Sequence, residues 1–110
     1  MEAGCGWVPY WMERLDEHYE ILQPTVPWLT KPPSEYMKNG QMFYAFEMEE
    51  KMLPYVADFV GAERLVFATD YNHSDSKFPH TVEAVMERKD LTDGLKAKIM
   101  GENAAKLYSL

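Results

Sequence analysis

Only one cysteine, Cys5, occurs in the 110 residues. No disulfide can form within the chain, and this usage suits a reducing compartment such as the cytoplasm. Cys5 lies between Gly4 and Gly6 with no histidine near it in sequence, which suits a small packed residue better than a nucleophile. Basic residues are also scarce. Eleven lysines and arginines face 18 acids, for a formal net charge of -7, and no basic cluster interrupts that balance. Such a field repels phosphate, which argues against nucleic acid and against anionic membrane surfaces as partners. No apolar run approaches the roughly 20 residues that cross a bilayer. Met1 to Gly4 lacks the basic start and apolar core of a signal peptide. There is no compact zinc-binding spacing, no short repeat and no low-complexity tract.

Apolar residues are plentiful. They make up 46% of the chain, with eight methionines, three tryptophans, seven tyrosines and five phenylalanines. That inventory supplies one core and one domain, residues 1–110. It can also leave apolar surface uncovered.

Apolar positions at Val8, Trp11, Met12, Leu15, Tyr19 and Leu22 have helical spacing, with Pro9 tolerated in the first turn. His18 falls among the charges of the opposite, solvated face. Pro24, Pro27, Pro32 and Pro33 break regular structure, and Trp28 within this connection either lines a site or pins the loop to the body. Ser34 is placed as the N-cap of a short helix ending at Asn39-Gly40. Met42 to Phe46 is a continuous apolar run and reads as a buried strand. Glu47, just past that run, is placed to face a site, while the acidic run Glu47, Glu49 and Glu50 equally suits the positive end of the next helix. That helix carries Leu53, Val56, Ala57 and Val60, with Pro54 in its first turn and Gly61 as its stop.

A second unbroken apolar run, Leu65 to Thr69, predicts a strand buried on both faces, as in a parallel sheet. It delivers Asp70 to the strand's C-terminal end, where α/β sheets place ligands and chemistry. A carboxylate there is a candidate metal ligand or general base, or else a cap for the following turn. The loop beyond adds His73, Asp75 and His80. Val82, Val85 and Met86 mark another helix. Leu95, Ile99, Ala104, Leu107 and Leu110 mark a terminal one interrupted near Gly101. Alternation of strands and helices implies right-handed β/α units, hence an α/β fold.

Several of these segments, in order, resemble the C-terminal part of amidohydrolase-related enzymes of the aminocarboxymuconate-semialdehyde decarboxylase-like group. They are Glu2-Ala3-Gly4-Cys5-Gly6-Trp7, then Gly61-Ala62-Glu63-Arg64-Leu65-Val66-Phe67-Ala68-Thr69-Asp70-Tyr71-Asn72-His73, then Phe78-Pro79-His80. The last is Ile99-Met100-Gly101-Glu102-Asn103-Ala104-Ala105-Lys106-Leu107. The resemblance implies a partial (β/α)8 barrel, a fold that typically takes about 250 residues when complete. The chain would hold the end of the sixth strand and all of the seventh and eighth.

On this resemblance Asp70 matches the eighth-strand aspartate that binds metal or handles a proton. Glu2 stands where many members place a sixth-strand histidine, as a second metal-ligand candidate. His73 and Trp7 are candidates for contact with the substrate or for support of the carboxylate. A complete enzyme of this kind would use a divalent metal such as zinc and a small-molecule substrate, in hydrolysis or in decarboxylation. The first-strand His-x-His pair is absent, so Asp70 belongs to an incomplete metal set. The expectation for the chain alone is no tight metal binding and no normal activity. It should self-associate or take up a complementary barrel fragment. Two other readings stand beside this one: a non-catalytic α/β remnant acting as an interaction module, and an independent small acidic domain.

Overall fold

The computed structural model describes residues 3–74 and 76–110. Helix α1 spans Trp7–Leu22 and buries Val8 and Met12. Helix α2 spans Pro33–Asn39, and its N-cap is Pro32, not Ser34 as the sequence suggests. The Ser34 N–H instead donates to Asp16 Oδ1 of α1 at 2.9 Å. The tandem prolines preset the backbone for a helix start, and the neighbouring helix supplies the acceptor. At Gly40 an added Cβ would stand 2.3 Å from the Tyr36 carbonyl oxygen, so glycine is required where α2 stops. Trp28 is 72% exposed and does not pin its loop.

Strands β1, Tyr44–Ala45, and β2, Leu65–Val66, pair in parallel with Tyr44 opposite Leu65 and Ala45 opposite Val66. Helix α3, Leu53–Val60, connects them, with Pro54 in its first turn and Gly61 closing it at φ 107°. This is the β-α-β order the two apolar runs predict, but the strands are shorter than those runs. The Phe67 N–H leaves the ladder and donates to the Ile99 carbonyl at 3.1 Å. Ile99 lies in a π turn, Lys98–Glu102, between helices α5, Asp93–Ala97, and α6, Asn103–Tyr108. A π turn disturbs the regular helical ladder, and here one of its carbonyls takes a donor from the strand. The segment expected to break near Gly101 is therefore one helical path with a π turn inside it. Helix α4, Thr81–Met86, precedes it.

The core gathers Val8 and Met12 of α1, Leu53 and Val56 of α3, Tyr44, Phe46, Leu65, Val85 and Ile99. The sheet is covered on one face. On the other, Ala45 is exposed and Val66 is half-buried, while Phe67 turns back to the core and packs on Phe46. That departs from the two-sided burial the apolar runs predict. No helix among the described residues is long and apolar enough to cross a membrane.

Candidate active site

Because β1 and β2 are parallel, their C-terminal ends lie at one end of the sheet. The segments after them, residues 47–52 and 69–80, start there. An ion pair between Lys77 and Glu49 joins these two loops. The turn at residues 3–6, ahead of α1, packs against the first of them.

Asp70 follows β2 at the start of the longer loop. Its backbone is left-handed, φ 50°, as is that of Asn72, φ 82°. Asp and Asn are the side chains that tolerate this region best. The turn is held by its own hydrogen bonds. His73 N–H donates to the Asp70 carbonyl at 3.1 Å. Tyr71 N–H donates to Thr69 Oγ1 at 3.3 Å, and Ser76 Oγ donates to the Thr69 carbonyl at 2.8 Å. Side chain meets side chain as well, with His73 Nδ1 3.3 Å from Asp70 Oδ2. Both side chains are about half open to solvent, 52% for His73 and 40% for Asp70. The structure thus brings Asp70 and His73 together on an accessible loop. His80 goes elsewhere: its Nδ1 lies 3.7 Å from Glu83 Oε2 in the first turn of α4. Glu2 and Asp75 fall outside the described residues.

Trp7 opens α1. Its indole Nε1–H donates to the Gly4 carbonyl at 2.9 Å, and its ring meets Tyr44 edge-on at 6.2 Å between centroids. It also lines an apolar groove of about 780 Å³ with Trp11, Leu15, Tyr36, Met37 and Met42.

The residue that organises this end of the sheet is Glu50, which the sequence pattern assigns to the positive end of the next helix, α3. Its carboxylate accepts from Cys5 N–H at 2.9 and 3.0 Å, from Gly6 N–H at 2.5 Å and from Glu47 N–H at 3.3 Å. The Cys5 thiol donates to it as well, Sγ to Oε2 at 3.3 Å. Gly4, at φ 59°, and Gly6 leave room for it, since an added Cβ would come within 2.7 and 2.9 Å of its oxygens. A carboxylate does sit at the positive end of a helix here, but the helix is α1, which precedes it in sequence, and not α3. Arg88 steadies the same loop. Its Nη1 donates to the Met48 carbonyl at 3.0 Å while its fork grips Asp90. Cys5 is fully buried. Burial, and then the Glu50 charge, push its thiol far up from the ordinary value, so it stays protonated and unreactive.

Zinc sites normally use three or four protein ligands. Among the described residues, no group of three or more His, Cys, Asp or Glu side chains could hold an ion. Asp70 and His73 are two donors, and this set does not fit a metal centre.

The profile of the amidohydrolase family matches the chain over residues 1–110. No curated protein matches it in sequence. Among solved structures, the fold is similar to that of an amidohydrolase from Mycobacterium avium subsp. paratuberculosis K-10, with a TM-score of 0.80 at 24% identity. The likeness covers 97% of this chain and 26% of that one, so the chain spans about a quarter of the length of the structure it matches.

Proposed function

Since the chain belongs to the amidohydrolase family, we propose that it supplies the end of a hydrolase barrel, with Asp70 as the carboxylate that handles the proton. Water attacks a carbonyl-type carbon, and its oxygen forms the new bond. Asp70 takes the proton and returns it to the leaving group as the old bond breaks. His73 holds the Asp70 carboxylate in orientation, and Trp7 offers an apolar wall to the substrate. The observation that carries this reading is the placement of Asp70. It stands in the loop that leaves the C-terminal end of parallel strand β2, in a left-handed backbone conformation fixed by turn hydrogen bonds, accessible and paired with His73. Unusual backbone of this kind gathers at functional sites.

One carboxylate and one histidine are a small part of a catalytic set. The rest of that set, and any metal the complete enzyme uses, belongs to elements that pack on the open face of this sheet. A finer assignment, to the decarboxylase-like members, rests on the segments that carry the resemblance, Glu2 to Trp7, Gly61 to His73, Phe78 to His80 and Ile99 to Leu107.

The test is reconstitution. The chain is mixed with a complementing segment that carries the first strands of the Mycobacterium amidohydrolase, and hydrolysis of aryl esters, lactones and amides is followed. The chain alone should show no turnover. The complex should, and Asp70→Asn should lower it by about 10²- to 10⁴-fold, the usual worth of a general base. Turnover indifferent to Asp70→Asn, or no complex at all, contradicts the proposal.

A further inference from the structure

We propose that Glu50 is a positioning residue: its carboxylate latches the Gly4-Cys5-Gly6 turn to the loop after β1 and thereby sets the Trp7 indole against Tyr44 of β1. The connection runs through bonds already described. Glu50 takes the N–H groups of Cys5 and Gly6 and the Cys5 thiol proton. Those contacts fix the turn, and the turn's Gly4 carbonyl receives the Trp7 Nε1–H. With the indole so held, its ring meets Tyr44 of β1 edge-on.

Three features show that the arrangement is specific. Both flanking positions are glycines whose Cβ would collide with the Glu50 oxygens, and Gly4 has a positive φ of 59°. The carboxylate gathers donors from residues 44 and 45 positions away in sequence and from Glu47 on its own loop. The loop is then braced from outside by Arg88, through the Met48 carbonyl and Asp90. Bonds to a charged acceptor are stronger than neutral ones, and removing the acceptor leaves buried donors unmet. Glu49 and Glu47 cannot substitute, since Glu49 pairs with Lys77 and Glu47 is exposed.

That this turn borders a catalytic mouth rests on the hydrolase reading above; the latch itself does not. The test therefore reads the latch directly in the 110-residue chain. Wild type, Glu50→Ala and Glu50→Gln are compared in a Trp11→Phe, Trp28→Phe background, so that emission reports Trp7 alone. Modification of Cys5 by a thiol reagent is timed under native conditions, with far-UV circular dichroism as the fold check. Glu50→Ala should speed the modification by at least about tenfold, the effect of losing a charge-assisted network on local opening. It should also shift Trp7 emission to the red with helix content kept. Glu50→Gln retains a carbonyl oxygen for the two N–H groups and should restore most of the protection. If Glu50→Ala unfolds the chain, Glu50→Gln decides, and it should still react faster than wild type. Wild-type thiol rates and wild-type Trp7 emission in the folded variants would overturn the latch. Because neither readout needs turnover, a failure of the hydrolase reading leaves this result standing.

Discussion

Cys5 holds its thiol against a carboxylate inside the fold, and this has a consequence at high pH. Burial, with the Glu50 charge adding to it, raises the thiol above its ordinary value of 9.0. Burial also raises Tyr44 above 10.0. For an acid whose folded pKa lies above its unfolded one, the unfolded chain loses the proton first as pH rises. Stability is then complete below the unfolded pKa and falls from there upward. The melting temperature should hold up to about pH 9 and then decline. In Cys5→Ala the decline should be shallower and begin later, with Tyr44. Thermal melts at successive alkaline pH values check this, and parallel declines in the two proteins would contradict it. Asp70 and His73 are legible in the sequence as residues just past an apolar run, because their partnership is local. Glu50 is not, because its partners lie more than forty positions away and no sequence pattern marks a carboxylate that caps a helix from another loop.

At the scale of elements, the β-α-β order is legible because each signal is short-range. Two unbroken apolar runs flank a helix with proline in its first turn and glycine at its end. Strand length is not legible. It is set by where Phe67 N–H goes, and that depends on a π turn more than thirty residues on. A single side chain ties these distant elements together. Asn103, fully buried in α6, donates through Nδ2 to the carbonyls of Ala62 and Leu65, each at 2.7 Å. It fixes the start of β2 against the terminal helix. Asn103→Ala leaves both carbonyls without that donor and opens a small void. It should cost on the order of 1–3 kcal/mol, since each unmet buried polar group costs about that much and the substitution also removes the Asn103 Oδ1, which is buried without a partner. Urea unfolding would show this as a lower midpoint, and an unchanged midpoint would mean that packing and the Phe67–Ile99 hydrogen bond suffice to hold the strand and the helix together. The N-cap of α2 illustrates the same limit of local signals. Ser34 has the right chemistry, but the tandem prolines and Asp16 of α1 settle the start instead.

At the scale of the whole molecule, the chain is more open than its length requires. Its radius of gyration is 15.6 Å, against about 13 Å for a compact domain of this size. Its extents are 50 × 29 × 26 Å. The sequence encodes strands for burial on two faces, and the structure covers one. A hollow of about 430 Å³ on the other side is lined by Gly4, Trp7, Phe43, Ala45, Val66 and Leu107. The apolar groove beside α1 lies open as well. Exposed sheet edges and apolar faces favour pairing with other chains. At about 25 cal/mol per Å², even a few hundred Å² of such surface rivals the roughly 5–15 kcal/mol stability of a whole small domain. The composition made this surplus of apolar side chains visible, but not which face would stay open. On the function proposed above, this chain is one part of an amidohydrolase architecture and needs more protein to complete it. Sedimentation velocity at micromolar concentration, with unfolding followed on the same samples, reads this out. The chain alone should sediment as dimers or larger species, giving way to a defined complex when the complementing segment is added. A compact monomer that unfolds cooperatively and ignores the segment would contradict that function.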